Sequence, residues 1–157
     1  MQRLVNALGS ASPVTYPLAL PMLQFSLDPA GPDALNLIED ALLLWLVILR
    51  NAPDGVTDAL AGWPHWCSIM ALTLEHVSVC MQIASSCVLL GGAGFLREQG
   101  AGLANVLTAV LGEVKQHGMI AAYSPILLML QLFGDEAVLL LQQPLLKLLH
   151  LLISGEV

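Results

Sequence analysis

Charge is scarce in this sequence. Asp, Glu, Lys and Arg make up 11% of it, where an average soluble domain has about 25%. Only five residues are Lys or Arg, and the net charge is −7. Arg3, Arg50, Arg97, Lys115 and Lys147 are scattered along the chain. They form no basic patch of the kind that phosphate-backbone binding requires, so no nucleic-acid partner is expected. Basic protein partners are compatible with the acidic balance.

Aromatic residues are also few, at 5%, and period-two alternation of apolar and polar residues is hard to find. Leu and Ala dominate where β-branched and aromatic residues would favour a sheet, which excludes a strand-rich fold. Three cysteines, Cys67, Cys80 and Cys87, are an odd count without a framework spacing. A disulfide scaffold is thereby excluded, and buried thiols in a reducing compartment are expected. Met1 to Gly9 has neither a basic cluster nor a long apolar core, so no secretory signal is expected.

Long apolar runs are missing as well, although 57% of the residues are hydrophobic and the mean hydropathy is +0.77. The longest uninterrupted run is Ala41 to Leu49, bounded by Glu39, Asp40 and Arg50. Ser124, Pro125 and Gln131 break Met119 to Phe133, and Gln142, Gln143, Lys147 and His150 interrupt Ala137 to Ile153. None of these is a comfortable membrane span of about 20 residues. An integral membrane protein is the weaker explanation of such hydropathy. A heavily buried segment of something larger is the stronger one.

Helical signals alternate with breakers along all 157 residues. Met1 to Leu8 reads as a helix tail stopped at Gly9. Thr15 is placed to cap a helix from Tyr16 to about Leu27, bent at Pro21. After Asp28-Pro29-Ala30-Gly31-Pro32, a long helix runs from Asp33 to about Asn51. Thr57 and Asp58 open a helix to about His76, kinked at Pro64. Val77 to Leu90 follows, closed by Gly91-Gly92-Ala93-Gly94. Phe95 to His117, loosened by Gly100 and Gly102 and ended by Gly118, precedes Met119 to Phe133 and Glu136 to Ser154. First-of-pair helices thus begin near Asp33, Val77 and Met119, and second-of-pair helices near Tyr16, Thr57, Phe95 and Glu136. Both series repeat at about 40 residues, the HEAT or armadillo spacing.

The expected fold is therefore all-α: a right-handed HEAT/ARM-type superhelix of antiparallel helix pairs. Residues 1–157 are expected to form one segment of about three and a half pairs, a fragment of a longer solenoid. A helix pair cannot bury its apolar face alone, so middle helices such as Leu42 to Leu49 become apolar nearly all round.

Tyr16-Pro17-Leu18-Ala19-Leu20-Pro21, with Gln24 and Asp28, and then Leu37-Ile38-Glu39-Asp40-Ala41-Leu42-Leu43-Leu44-Trp45-Leu46-Val47 resemble helices of the importin-β (karyopherin) family. Ala41 stands where the family pattern has Gly, and Leu43 where it has a polar residue. Asn51-Ala52-Pro53 fits the turn that follows. Phe95-Leu96, Gly102-Leu103, Gln143-Pro144-Leu145-Leu146 and Ile153-Ser154-Gly155-Glu156 continue the resemblance more loosely. It implies a transport receptor that binds protein cargo, the small GTPase Ran and Phe-Gly nucleoporins, and shuttles between cytoplasm and nucleus. The family's main Ran contacts lie toward its N-terminal repeats, and this segment resembles a later region. The resemblance carries over no individual contact residue.

Residues of chemical interest are few. His76, Cys80 and Cys87, with Cys67 or His65, have the residue types of a zinc site but lack a Cys-x-x-Cys knuckle, and buried thiols are expected instead. Glu39 and Asp40 are neighbours about 100° apart on a helix, so they cannot face each other as an acid–base pair. They are expected to mark a polar stripe on the helix. Asp135 and Glu136 are expected to cap. Gly91 to Gly94 lacks the preceding strand and following Lys of a phosphate loop. Ser68, His65 and Asp58 lack a nucleophile elbow. Trp45, Trp63 and Trp66 are expected in the core, as are Phe25, Phe95 and Phe133; Trp63-Pro64-His65-Trp66 also has the makings of a peptide platform. No catalytic residue, cofactor or metal is expected.

Overall fold

The computed structural model describes residues 1–113 and 116–155, and among the described residues every regular element is helical. Helix α1 is Gln2–Leu8, followed by a 3-10 segment Gly9–Thr15 and α2, Tyr16–Leu27. Helix α3 is Ala34–Asn51, and a second 3-10 segment, Thr57–Gly62, leads into α4, Trp63–Leu72. Helix α5 covers Val77–Glu113, α6 Gln116–Phe133, α7 Asp135–Leu140 and α8 Gln142–Ser154.

These elements stack as two layers. In the first, α1 packs on α3, α3 on α5 and α5 on α6. Polar contacts stitch this layer: the Gln2 amide donates to the Asp40 carbonyl at 3.4 Å, and Arg50 to Gln82 Oε1 at 2.6 Å. The hydroxyls of Ser85 and Ser124 lie 3.4 Å apart between α5 and α6. In the second layer α2 meets Thr57–Gly62 and α4, and α5 meets α7 and α8. One continuous core lies between, and α3, covered on several sides, buries Leu42, Leu44, Trp45, Leu46, Ile48 and Leu49. The architecture is the expected helical-repeat solenoid.

Local differences from the expectation have identifiable causes. Thr15 caps nothing: its hydroxyl donates backward to the Ser12 carbonyl at 2.7 Å. Thr57 makes no cap hydrogen bond either, and it opens a 3-10 segment instead of an α-helix. Pro64 falls in the first turn of α4, where its missing N–H costs nothing, so it starts that helix instead of kinking it. Helix α4 ends at Leu72, leaving His76 outside.

Of the four residues Gly91 to Gly94, only Gly92 leaves helical geometry, at φ +55 and ψ −145. It joins two helical arms, residues 77–91 and 93–113. Gly100 does not loosen the second arm. A Cβ there would lie 2.9 Å from Leu140 Cδ1, so the missing side chain lets α7 approach. Gly118 sits inside α6 and ends nothing; Lys115 and Glu156 lie outside the described residues. The expected Glu136 to Ser154 helix is two helices meeting at Leu141 (φ −92, ψ +10). Pro144 explains the break, because its ring cannot tolerate a helical carbonyl from Leu140 and it has no N–H to give it. Phe25 is 63% exposed and does not belong to the core.

By length and composition Val77–Glu113 is apolar enough to cross a membrane. Gly92 divides it, and both arms contribute to the shared core, through Cys80, Ile83, Cys87, Leu103 and Leu107 among others.

Candidate functional site

No three His, Cys, Asp or Glu side chains among the described residues lie close enough to hold a metal ion. Cys80 and Cys87 are buried, and burial pushes the Cys80 thiol up to about 12 and Cys87 higher still. Cys67 is half-buried on α4, and burial raises it too, against a backbone hydrogen bond that lowers it. The Ser68 hydroxyl is turned back to the Pro64 carbonyl at 3.4 Å, a bond within its own helix. Glu39 and Asp40 are exposed near the start of α3. Asp135 and Glu136 occupy the first turn of α7, where charge suits the dipole, but they make no side-chain cap.

The aromatic residues are organised more tightly. Trp63 and Trp66 stack at 4.5 Å between ring centroids and 11° between planes, and Phe95 meets Trp63 edge-on at 4.7 Å. Both Trp66 and Trp45 use their indole N–H inside the fold, on the Cys80 carbonyl at 3.0 Å and the Ala59 carbonyl at 2.7 Å. The tryptophans are thus core residues that tie neighbouring helical elements together, and Trp63-Pro64-His65-Trp66 is a helix start. Phe95 is buried and Phe133 half-buried.

Two open grooves flank the Thr57–Gly62 segment on the second layer. One, of about 750 Å³, runs between that segment and α2, over Tyr16, Leu20, Pro21 and Asp58. The other, of about 450 Å³, lies between it and α5, over Trp63, Gly94, Phe95 and Glu98. They share Thr57, Leu60 and Ala61 as a common ridge. Each touches an aromatic residue whose polar atom is buried without a hydrogen-bond partner among the described residues: the Tyr16 hydroxyl and Trp63 Nε1. Burial raises the Tyr16 phenol, opposed by nearby Ser12 and helped by the charge of Asp58. The Ser12 hydroxyl itself donates to the Asn51 carbonyl at 3.3 Å. Spacing rules could not have found these grooves, because they depend on which helices the stack places side by side.

A family model described as "Importin-11-like, TPR repeats" matches residues 1–157. The chain belongs to the importin-11-like family. Importin-11 of Mus musculus and Importin-11 of Homo sapiens are each 32% identical to it over 117 residues, 74% of this chain. The chain spans 12% of the length of these two relatives. No solved structure matches it. The importin-11-like model is described in terms of TPR repeats, which are also helix pairs. Here the pairs recur at Ala34, Val77 and Gln116, about 40 residues apart, closer to the HEAT spacing than to the shorter TPR one.

Proposed function

We propose that this chain is a repeat segment of an importin-type nuclear transport receptor, which carries protein cargo between cytoplasm and nucleus through binding alone. The observation that carries the reading is membership of the importin-11-like family over residues 1–157, on a chain that is an open stack of helix pairs. Such a stack presents a long surface and bends at small cost, because each repeat contacts only its neighbours. Partners then select among curvatures. Protein cargo, Ran and Phe-Gly nucleoporins are the partners proposed for the whole receptor, with Ran held mainly by other repeats. The segment comprises about three and a half helix pairs of a longer solenoid, α2 counting as the half. It needs no catalytic residue and no cofactor.

The proposal also places no part of the chain across a membrane. Support comes from Val77–Glu113, whose two arms meet at a non-helical glycine and pack into the shared core. Release by carbonate without detergent is the expected extraction behaviour.

The deciding experiment is retention of proteins from lysate on the intact receptor, with and without GTP-locked Ran. Ran is expected to bind and to displace a set of retained proteins, which are then the cargo. If Ran neither binds nor alters what is retained, the transport function fails and a plain protein-interaction scaffold becomes the better account.

A further inference from the structure

We propose that the two grooves beside Thr57–Gly62 form one trough that docks an extended peptide of a partner protein, with apolar side chains alternating with Lys or Arg. This deepens the reading of the chain as a protein-binding receptor segment and rests on it. The trough crosses α2, the Thr57–Gly62 ridge and the second arm of α5 in succession, so it runs along the stack. A further repeat adds at an end of such a stack and does not fill a trough along its side.

Three observations set the chemistry of the occupant. The grooves are open and apolar with a ridge between them, which suits side chains entering on either side of a ridge, not one compact ligand. Among the described residues their lining includes the acids Asp58 and Glu98 and no Lys or Arg, on a chain of net charge −7. That asymmetry favours cations on the peptide. Among the described residues the Tyr16 hydroxyl and Trp63 Nε1 are donors buried without a hydrogen-bond partner, a costly condition that a peptide carbonyl would relieve. Both atoms are covered in the free chain, so docking has to part the groove wall slightly.

Gly94 adds an argument of its own. Gly91 is required by the fold, since a Cβ there would collide with Cβ of Phe95, and Gly92 is required by its positive φ. A Cβ at Gly94 would meet nothing within 4 Å. Nothing inside the fold demands glycine at this groove-lining helical position, and its effect is to keep the groove open.

The test is selection of a phage-displayed random peptide library on the whole chain, followed by affinity measurement of the enriched peptides. The expected consensus alternates Leu, Ile or Phe with Lys or Arg. Binding is expected to fall about tenfold or more in Gly94→Leu, which plugs the groove, and in Glu98→Lys. It should be unchanged in Gly102→Leu, where an added Cβ also meets nothing within 4 Å, on the same arm outside the trough. Leu is the better helix former at both glycines, and thermal unfolding of each variant separates lost binding from lost folding. No enrichment, a consensus without basic residues, or equal binding by Gly94→Leu would each overturn the proposal. Ran-dependent retention by the intact receptor is a separate readout. Its survival beside a failed selection removes the trough alone, and its loss beside a successful selection removes the transport reading alone.

Discussion

The indole N–H of Trp45 donates to the Ala59 carbonyl at 2.7 Å, which ties α3 to the 3-10 segment opening the second half of its pair. Gly62, three residues on, lets the same ring lie against the backbone: a Cβ there would sit 2.9 Å from Trp45 Cε2 and 3.0 Å from Leu27 Cδ1. The missing side chain at Gly62 thus lets Trp45 of α3 and Leu27 of α2 both close on this segment. Trp66 repeats the device on the Cys80 carbonyl, binding α4 to α5.

Trp45→Phe is expected to destabilise the fold by about 2–4 kcal/mol. It strands a buried carbonyl, at about 1–3 kcal/mol, and leaves a cavity besides. Urea unfolding followed by circular dichroism measures it. A change below about 0.5 kcal/mol, typical of a surface site, would show that the bond contributes little.

Glycine substitutions should separate by environment. Gly92→Ala forces a side chain onto φ +55 and is expected to cost about 1–2 kcal/mol. Gly62→Ala presses on a rigid indole and should cost about 1–3 kcal/mol. Gly102→Ala, with nothing within 4 Å, should instead stabilise, by about 0.5–1 kcal/mol. Equilibrium denaturation of the three variants checks the order.

Glycines also mark the limit of what was legible in the sequence. The breaks at Gly9 and Pro53, the Tyr16, Asp33 and Val77 helix starts, and the pair period follow from local rules. So does the burial of α3, because an all-round apolar helix has nowhere else to go. Gly62, Gly92 and Gly100 look alike in the sequence but do three different things, decided by a ring, a dihedral angle and a neighbouring helix. Phe25 looked like core by type and lies on the outer side of α2. The grooves were invisible for the same reason: Tyr16, Asp58 and Glu98 come together only through the stacking of α2, Thr57–Gly62 and α5.

Thiol chemistry should report the burial of the cysteines. Cys67, half-buried, is expected to react first with a disulfide reagent in the native chain, with Cys80 and Cys87 reacting only on unfolding. The same burial predicts a pH dependence. Below the ordinary thiol value of 9.0 both states hold the proton and stability is unaffected. Above it the unfolded thiols ionise, while folded Cys80 keeps its proton to about 12, so stability falls as pH rises across that window. Cys87 acts in the same direction. A variant with Cys80→Ala and Cys87→Ala should lose stability less steeply over this range, and an unchanged slope would assign the effect to other groups.

Exposed apolar side chains should govern how the isolated chain behaves in solution. On α8, Leu146, Leu149, Leu152 and Ile153 are all more than half exposed, with Ile153 at 79%, and Ile120 and Leu127 are exposed on α6. Contiguous apolar surface of more than a few hundred Å² seldom stays uncovered in water, and few charges are available here to oppose contact. The isolated chain is therefore expected to self-associate at tens of micromolar, visible as a concentration-dependent hydrodynamic radius in light scattering. Leu149→Glu combined with Ile153→Lys should restore a monomer. Because neither side chain belongs to the buried core, the unfolding midpoint at high dilution should move by no more than about 0.5 kcal/mol equivalent. A wild-type chain that stays monodisperse at those concentrations would mean that the exposed leucines are too dispersed to act as one face. Association that persists in the double variant would move the contact elsewhere, with Leu18 and Phe25 on α2, 66% and 63% exposed, the next surface to substitute.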